Sequence, residues 1–438
     1  MYRARHSLPV SSIVGRWTVL AVGGWLLYGL NYGLARLIWL GAPFYDWQWY
    51  LPVIFMAVFP LLWALRRLRL ARGALALPIG LVLWLILGFA GFGQITELRP
   101  SDQPPAPISF WAFTDFSNAP ASLLEDLQRA GGRLYLDAGV PDPATETGQR
   151  WFAGVRRLAQ HDIDVVVVVT AGDFLSVPVH QAWIENTRRA IDNIELAGLS
   201  NVAGYLGDAE RPLNASYDVL GLERGAFTAA QSNLRTFQAN LSQAAPTVRL
   251  GVTAHWAWYL DRLDGDADLA LVQRSPMDPP SGWHFRTVMS YSSYLPAADR
   301  AYYLFLVERA LARLFPTDRP GHLIGLVGAG FPWEPLLLYE ELVRDARLSR
   351  ALGAPEIAVF QLGALDTFGA DFVSRLVADV NEAPPETEVL IPFSRLASAY
   401  LFIVCAADGW LDLIGSRLWL WIVWLIASGW WVRRQATQ

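Results

Sequence analysis

Residues 201–212 read NVAGYLGDAERP, an apolar run that discharges into Asp208 and Glu210. Side chains at i and i+2 of a strand share a face. If this run is a strand, both carboxylates project together from its C-terminal end. In barrels of alternating strands and helices that end carries the active site, so the stretch predicts a strand followed by a helix, with acids at the junction.

The same pattern recurs outward from it. Apolar, β-branched runs at 108–113, 133–136, 164–169, 202–206, 249–253, 286–290, 323–327 and 356–361 alternate with segments of helical length at 149–160, 180–196, 222–241, 298–315 and 334–352. Alternation of the two periods marks a parallel sheet with crossover helices, right-handed by default. The expected fold is therefore α/β, a (β/α)8 TIM-like barrel over residues 108–380. A doubly wound open sheet is the alternative, but no GxGxxG follows the first strand. Residues 266–274 read as a further short strand, and 275–283 (SPMDPPSGW) as a loop decorating the mouth.

Polar groups at the strand ends would converge on one face. They are Asp137 after strand two, Thr170 and Asp173 after strand three, Asp208 and Glu210 after strand four, and His255 and Trp256 after strand five. Tyr291 and Tyr294 follow strand six, Trp333 and Glu334 strand seven, and Gln361 and Asp366 strand eight. Carboxylates framed by Trp and Tyr suit a sugar, whose C–H surface packs on aromatic faces while acids do the proton work. Glycoside hydrolysis needs one acid for the leaving oxygen and a second group for the oxocarbenium-like transition state. Asp208 and Glu210 repel each other when both are ionised, so one should hold its proton near neutral pH; the sequence does not say which. The bland reading pairs both with Arg211 or with an arginine of a neighbouring strand.

Here the chain resembles the family 18 glycoside hydrolases and related chitinase-like barrels, whose fourth strand ends in DxxDxDxE. The resemblance implies that Glu210 is the general acid and that Asp208 orients the substrate's N-acetyl group as internal nucleophile. Met289-Ser290-Tyr291 is similar to the family's M-x-Y-D, which implies a supporting role for Tyr291 at the reacting group, and Thr170-Ala171-Gly172 is similar to its S-x-G. Ala203 and Leu206 stand where the first two aspartates of the motif would be, Ser292 where an Asp follows the Tyr, and Gln361 where a Trp floors the site. Without an acetamido route, Asp137, Glu334 or Asp366 would supply a separate nucleophile or base, at a carboxylate spacing of roughly 5 Å for retention or roughly 7 to 9 Å for inversion.

The two ends of the chain have another character. Residues 17–40, 49–65 and 74–92, and 416–432 near the C-terminus, each approach the roughly 20 apolar residues a bilayer span requires. The run 396–407 is shorter and suits an interfacial helix. No lysine is present, so every basic charge is arginine. Clusters at Arg3, Arg5 and Arg16, at Arg66, Arg67, Arg69 and Arg72, and at Arg433 and Arg434 all fall on one side of four spans. This predicts a multi-pass protein of the cell membrane, with its large domain on the extracytoplasmic side. The expected order is a membrane region at 1–94, a Pro-rich linker at 95–107, the barrel at 108–380, a linker at 381–392 and a C-terminal membrane region at 393–438.

Several chemistries fall away. Without lysine there is no Schiff-base enzyme, the single Cys405 allows no disulfide or cysteine metal site within the chain, and the six histidines form no HxH or HExxH pattern. Neither a cofactor nor a metal is expected. No P-loop and no basic run interleaved with aromatics is present, so nucleotide-driven transport and nucleic-acid partners are not expected. The expected partners are a glycan or polysaccharide, the lipid bilayer and other membrane proteins. The sequence supports a membrane-anchored glycoside hydrolase-like protein acting on an envelope or extracellular polysaccharide, with Glu210, Asp208 and Tyr291 at the chemistry and Asp137, His255, Trp256, Trp333, Glu334 and Gln361 binding substrate. The alternative is a catalytically inactive glycan-binding barrel in a cell-envelope polysaccharide assembly or export system.

Overall fold

A computed structural model describes residues 10–39, 96–98, 106–171, 175–210, 218, 222–261, 267–276, 282–325, 336–382, 388–390, 406–407, 409–411 and 418–436. The chain divides into two compact units, Ile95–Ala397 and the pair Met1–Gln94 with Ser398–Gln438.

The first of these holds a closed barrel of eight strands: β1 Ile108–Ala112, β2 Gly131–Asp137, β3 Val165–Val169, β4 Val202–Ala209, β5 Leu250–His255, β6 Phe285–Met289, β7 Gly321–Gly325 and β8 Ile357–Phe360. Each pairs in parallel with the next, and β8 closes on β1 from Ile108↔Ile357 to Trp111↔Phe360. Covering helices are α1 Ala121–Ala130, α2 Glu146–Ala159, α3 His180–Leu196, α4 Arg224–Ala244, α5 Ala297–Leu314, α6 Tyr339–Ala351 and α7 Phe372–Glu382. Burial on both faces favours β-branched residues, and β3 is five consecutive buried valines. Helix ends carry local signals as well: the Thr145 hydroxyl accepts the Gly148 N–H at 3.0 Å at the start of α2.

Inward residues stack in layers. Trp111, Tyr135, Val168, Leu206, Met289 and Leu323 belong to one buried cluster in the barrel's interior. At the N-terminal end of the strands the interior is polar and closed. Glu356 accepts the Ser109 hydroxyl and, at 3.0 Å, the Tyr135 O–H, and pairs with Arg133 Nε at 3.0 Å. The Arg133 guanidinium also lies 5.2 Å over the Phe285 ring. This plug seals the floor, so the opposite end alone can open as a site.

Two expectations change. Residues 266–274 hold the short helix Asp268–Val272, not a strand. A closed barrel has no free edge for another strand, and Ala270 and Leu271 instead bury against Phe227 and Ala230 of α4. The two linkers contain short strands, Thr96–Leu98 and Glu388–Leu390, which pair antiparallel.

In the other unit, helices Val10–Trp39 and Leu418–Ala436 pack together. Indole nitrogens fasten them: Trp17 donates to the Leu425 carbonyl and Trp424 to that of Leu20, each at 3.1 Å. A Cβ at Gly24 would meet the Trp424 ring at 2.1 Å, so only glycine admits that indole.

The expectation of a multi-pass membrane protein with an extracytoplasmic barrel is corrected here. Among the described residues no helix is long and apolar enough to cross a membrane. The reason lies in what the apolar runs contain. Val10–Trp39 carries Arg16, Asn31, Arg36 and five glycines, and Leu418–Ala436 carries five tryptophans and two arginines. Tryptophan is bulky and apolar but its N–H seeks an acceptor, and here two indoles find one on the facing helix. The expected bilayer and membrane-protein partners lose their support with it. The runs 49–65 and 74–92, the arginines at 66–72 and Cys405 lie outside the described residues.

Candidate functional site

The site is built from the C-terminal ends of the barrel strands. β4 runs on past Leu206 as Gly207-Asp208-Ala209, with Asp208 opposite Thr253 of β5. The loop after β3 ties this end down, since Leu175 N–H donates to the Asp208 carbonyl at 2.7 Å. Helix α3 fixes the end of β3, with Trp183 Nε1 donating to the Val169 carbonyl at 3.0 Å and Asn186 Nδ2 to that of Thr170 at 2.7 Å. The backbone of Asp208 is thus held on both sides.

Asp208 lies there within the field of two other carboxyl groups, Glu210 and Asp137. Asp208 and Glu210 are partly buried, and Oδ1 of Asp208 is shut off from solvent with no hydrogen-bond partner among the described residues. Burial pushes the Asp208 carboxyl well above the usual carboxylate range, and the negative charges of Glu210 and then Asp137 push it further. Asp137 follows the inward Tyr135 by two positions on β2 and so shares its face. Its Oδ1 accepts the Gly139 N–H at 3.2 Å, which favours the charged form, but burial outweighs this and raises its pKa as well. Burial and the two neighbouring charges together favour the protonated form of Asp208. Leu206, two positions before Asp208, is fully buried in the core cluster and offers no charge. Negative charge reaches Asp208 from β2 instead.

His255, at the end of β5, is partly buried, and burial lowers its pKa to about 4. Its Nδ1 accepts the Ala257 N–H at 3.3 Å, which leaves the neutral ring's proton on Nε2. It is a neutral donor rather than a base with a charge to shed. Trp256, expected at the substrate, is 2% exposed and meets the Tyr303 ring of α5 edge-on at 5.6 Å. Its ring also lies 5.5 Å from that of His255, so it is buried between the end of β5 and the helix layer.

Tyr291 packs on the inner cluster, with its ring 6.0 Å from that of Phe360 at the end of β8. Gln361 is 6% exposed. Phe360 belongs to the inner set because strand parity carries Ala358 and Phe360 inward together. Beside it Phe113, just past β1, stands 53% exposed with its ring 6.0 Å from Phe360 at an interplanar angle of 81°. Neither Phe113 nor Phe360 stood among the expected site residues. The signal was there in the alternation of Ser109, Trp111 and Phe113, all on one face if the strand is read past Ala112. Tyr294 and Asp366 are exposed. Trp333, Glu334 and Asp173 lie outside the described residues. Among the described residues no group of three His, Cys, Asp or Glu is arranged to hold a metal ion.

No protein-family model matches the sequence, and no curated protein matches it. Solved structures similar to it include the glycoside hydrolase domain of PgaB (BpsB) from Bordetella bronchiseptica, with 12% identity over 63% of this chain and 99% of that one at a TM-score of 0.41. A GH18 chitinase from Pseudoalteromonas aurantia gives 11% identity over 63% and 100%, at 0.43. An endo-1,4-beta-D-mannanase from Thermotoga petrophila RKU-1 gives 9% over 58% and 88%, at 0.41. Likenesses of this size assign neither a family nor a substrate.

Proposed function

We propose that the mouth of the barrel binds a glycan and cleaves a glycosidic bond by general acid catalysis. The observation that carries this reading is Asp208: a buried carboxyl, made to keep its proton by burial and by Glu210 and Asp137, with one oxygen left without a partner. A buried acceptor left unmade is costly, and at the C-terminal end of β4, in the field of two further carboxylates, a sugar hydroxyl is a partner that would complete it. In this reading Asp208 stores the proton and Glu210, at the end of the strand, delivers it to the leaving oxygen as the C1–O bond breaks. Asp137, two strands away, is the group that takes a proton from the attacking water, and Tyr291 borders the reacting sugar. His255 donates from Nε2 to a substrate hydroxyl.

The test is turnover of a panel of neutral and N-acetylated oligosaccharides by the full chain, Glu210→Gln and Asp208→Asn. General acid catalysis contributes roughly 10²- to 10⁴-fold, so losses of that order are expected in both variants. Unchanged turnover in both defeats the reading. One observation favours a second reading. Leu206 and Ala203 fill the positions of two motif acids with apolar groups, which suits a barrel that binds glycan without cleaving it. Saturable binding with no product from the wild-type chain would select that alternative.

A further inference from the structure

Phe113 is an aromatic ring held in the open at the barrel's mouth. It is 53% exposed although the strand it follows, β1, is buried along its whole length. The ring is not adrift. Phe360 meets it at 6.0 Å and 81°, Trp111 lies 5.9 Å from Phe360, and Tyr135 stacks on Trp111 at 5.7 Å with only 12° between the planes. The perpendicular contact with Phe360 supports one side of Phe113, so a chain of packed rings runs from the barrel interior to one solvent-facing ring. In the closed order β8 is the strand opposite β4, and β1 is its neighbour. The ring therefore stands across the mouth from Asp208 and Glu210.

We propose that Phe113 is a stacking platform for one pyranose ring of the substrate, adjoining the sugar held at the carboxyl cluster. This rests on the glycan reading above and adds a residue and a chemical class to it. A phenyl face offers no donor or acceptor, so it selects an apolar surface. Among sugars that surface belongs to pyranosides whose hydroxyls are equatorial, because H1, H3 and H5 stand axial on one face and H2 and H4 on the other, so both faces present C–H groups. The quadrupole of the ring favours such C–H groups over its negative face. Phe113 positions substrate and takes no part in proton transfer.

The experiment is titration of the full chain, Phe113→Ala, Phe113→Trp and Glu210→Gln with two probes, chitotetraose and a tetrasaccharide of fructofuranose, whose five-membered rings present no face of axial hydrogens. Turnover is measured alongside wherever it occurs. Phe113→Ala is expected to weaken chitotetraose binding about tenfold, roughly what one aromatic contact supplies. Phe113→Trp should keep the affinity, the furanose probe should bind more weakly than chitotetraose to the wild-type chain, and the loss in Phe113→Ala should fall in KM with kcat kept. Wild-type binding that survives Phe113→Ala unchanged overturns the platform and leaves the carboxyl cluster standing. Loss of turnover in Glu210→Gln with binding intact supports the acid independently of Phe113. A wild-type chain that binds neither probe overturns the platform and the glycan reading together.

Discussion

The rings of Tyr291 and Phe360 lie 6.0 Å apart although a whole strand, β7, runs between the strands they follow. They meet because the inward position of that strand at this level is Gly325, two residues beyond the inward Leu323. Gly325 has φ +133°, and a Cβ there would stand 2.3 Å from the Phe360 carbonyl oxygen. Glycine is required twice over, by its backbone angle and by the close approach of the Phe360 backbone.

Gly325→Ala should therefore destabilise the barrel by about 1–3 kcal/mol, the range for a residue forced into a sparsely populated backbone region. Urea unfolding measures it, and the near-ultraviolet dichroism of the aromatic wall should weaken together with the stability. A variant as stable as the parent would mean that β7 and β8 are not packed this closely.

Asp208 links stability to pH with a definite sign. Its pKa in the folded chain is raised above the ordinary value, near 3.9 for an unfolded aspartate. Between those two values the native state keeps a proton that the unfolded state has lost, so this group's contribution makes unfolding easier as pH rises. Asp208→Asn removes the group and with it the slope. The variant should be more stable than the parent at pH 7, with the advantage shrinking as pH falls toward 4. Urea midpoints taken across that window decide it; a pH-independent difference between the two proteins contradicts the buried, crowded carboxyl.

The plug at the closed end should be structural. Glu356→Gln leaves Arg133 without its counter-charge and weakens the contacts to Ser109 and Tyr135. Breaking a buried pair from one side costs about 3–5 kcal/mol, and the lower end is expected because Arg133 keeps 26% of its side chain in water. The melting temperature should fall while oligosaccharide binding by the folded fraction is unaltered. A melting temperature that holds would show the plug to be dispensable.

β3 was legible because a short run of five β-branched valines must be buried on both faces, and the other strands because short apolar runs recur between segments of helical length. The short helix Asp268–Val272 was misread because DLALV carries too few residues for either period to declare itself. The apolar ends were misread for a different reason. Hydropathy counts tryptophan and glycine as compatible with lipid, whereas in helices Val10–Trp39 and Leu418–Ala436 glycine makes room for indole and indole bonds to the facing backbone. Trp256 likewise has the composition of a sugar-binding residue, and only its packing against Tyr303 turns it from the mouth.

By itself the sequence determined the barrel and the pairing of Asp208 with Glu210, because both follow from periodicity along one continuous strand. Closure decided the rest. It brought Asp137 from β2 to within the field of Asp208, set Phe360 against Phe113 and Tyr291, and closed the opposite end with Glu356 and Arg133. Those partners are far apart in the chain, and no local pattern records which side chains share a layer of a closed barrel. That depends on the register between neighbouring strands, which tertiary packing alone sets.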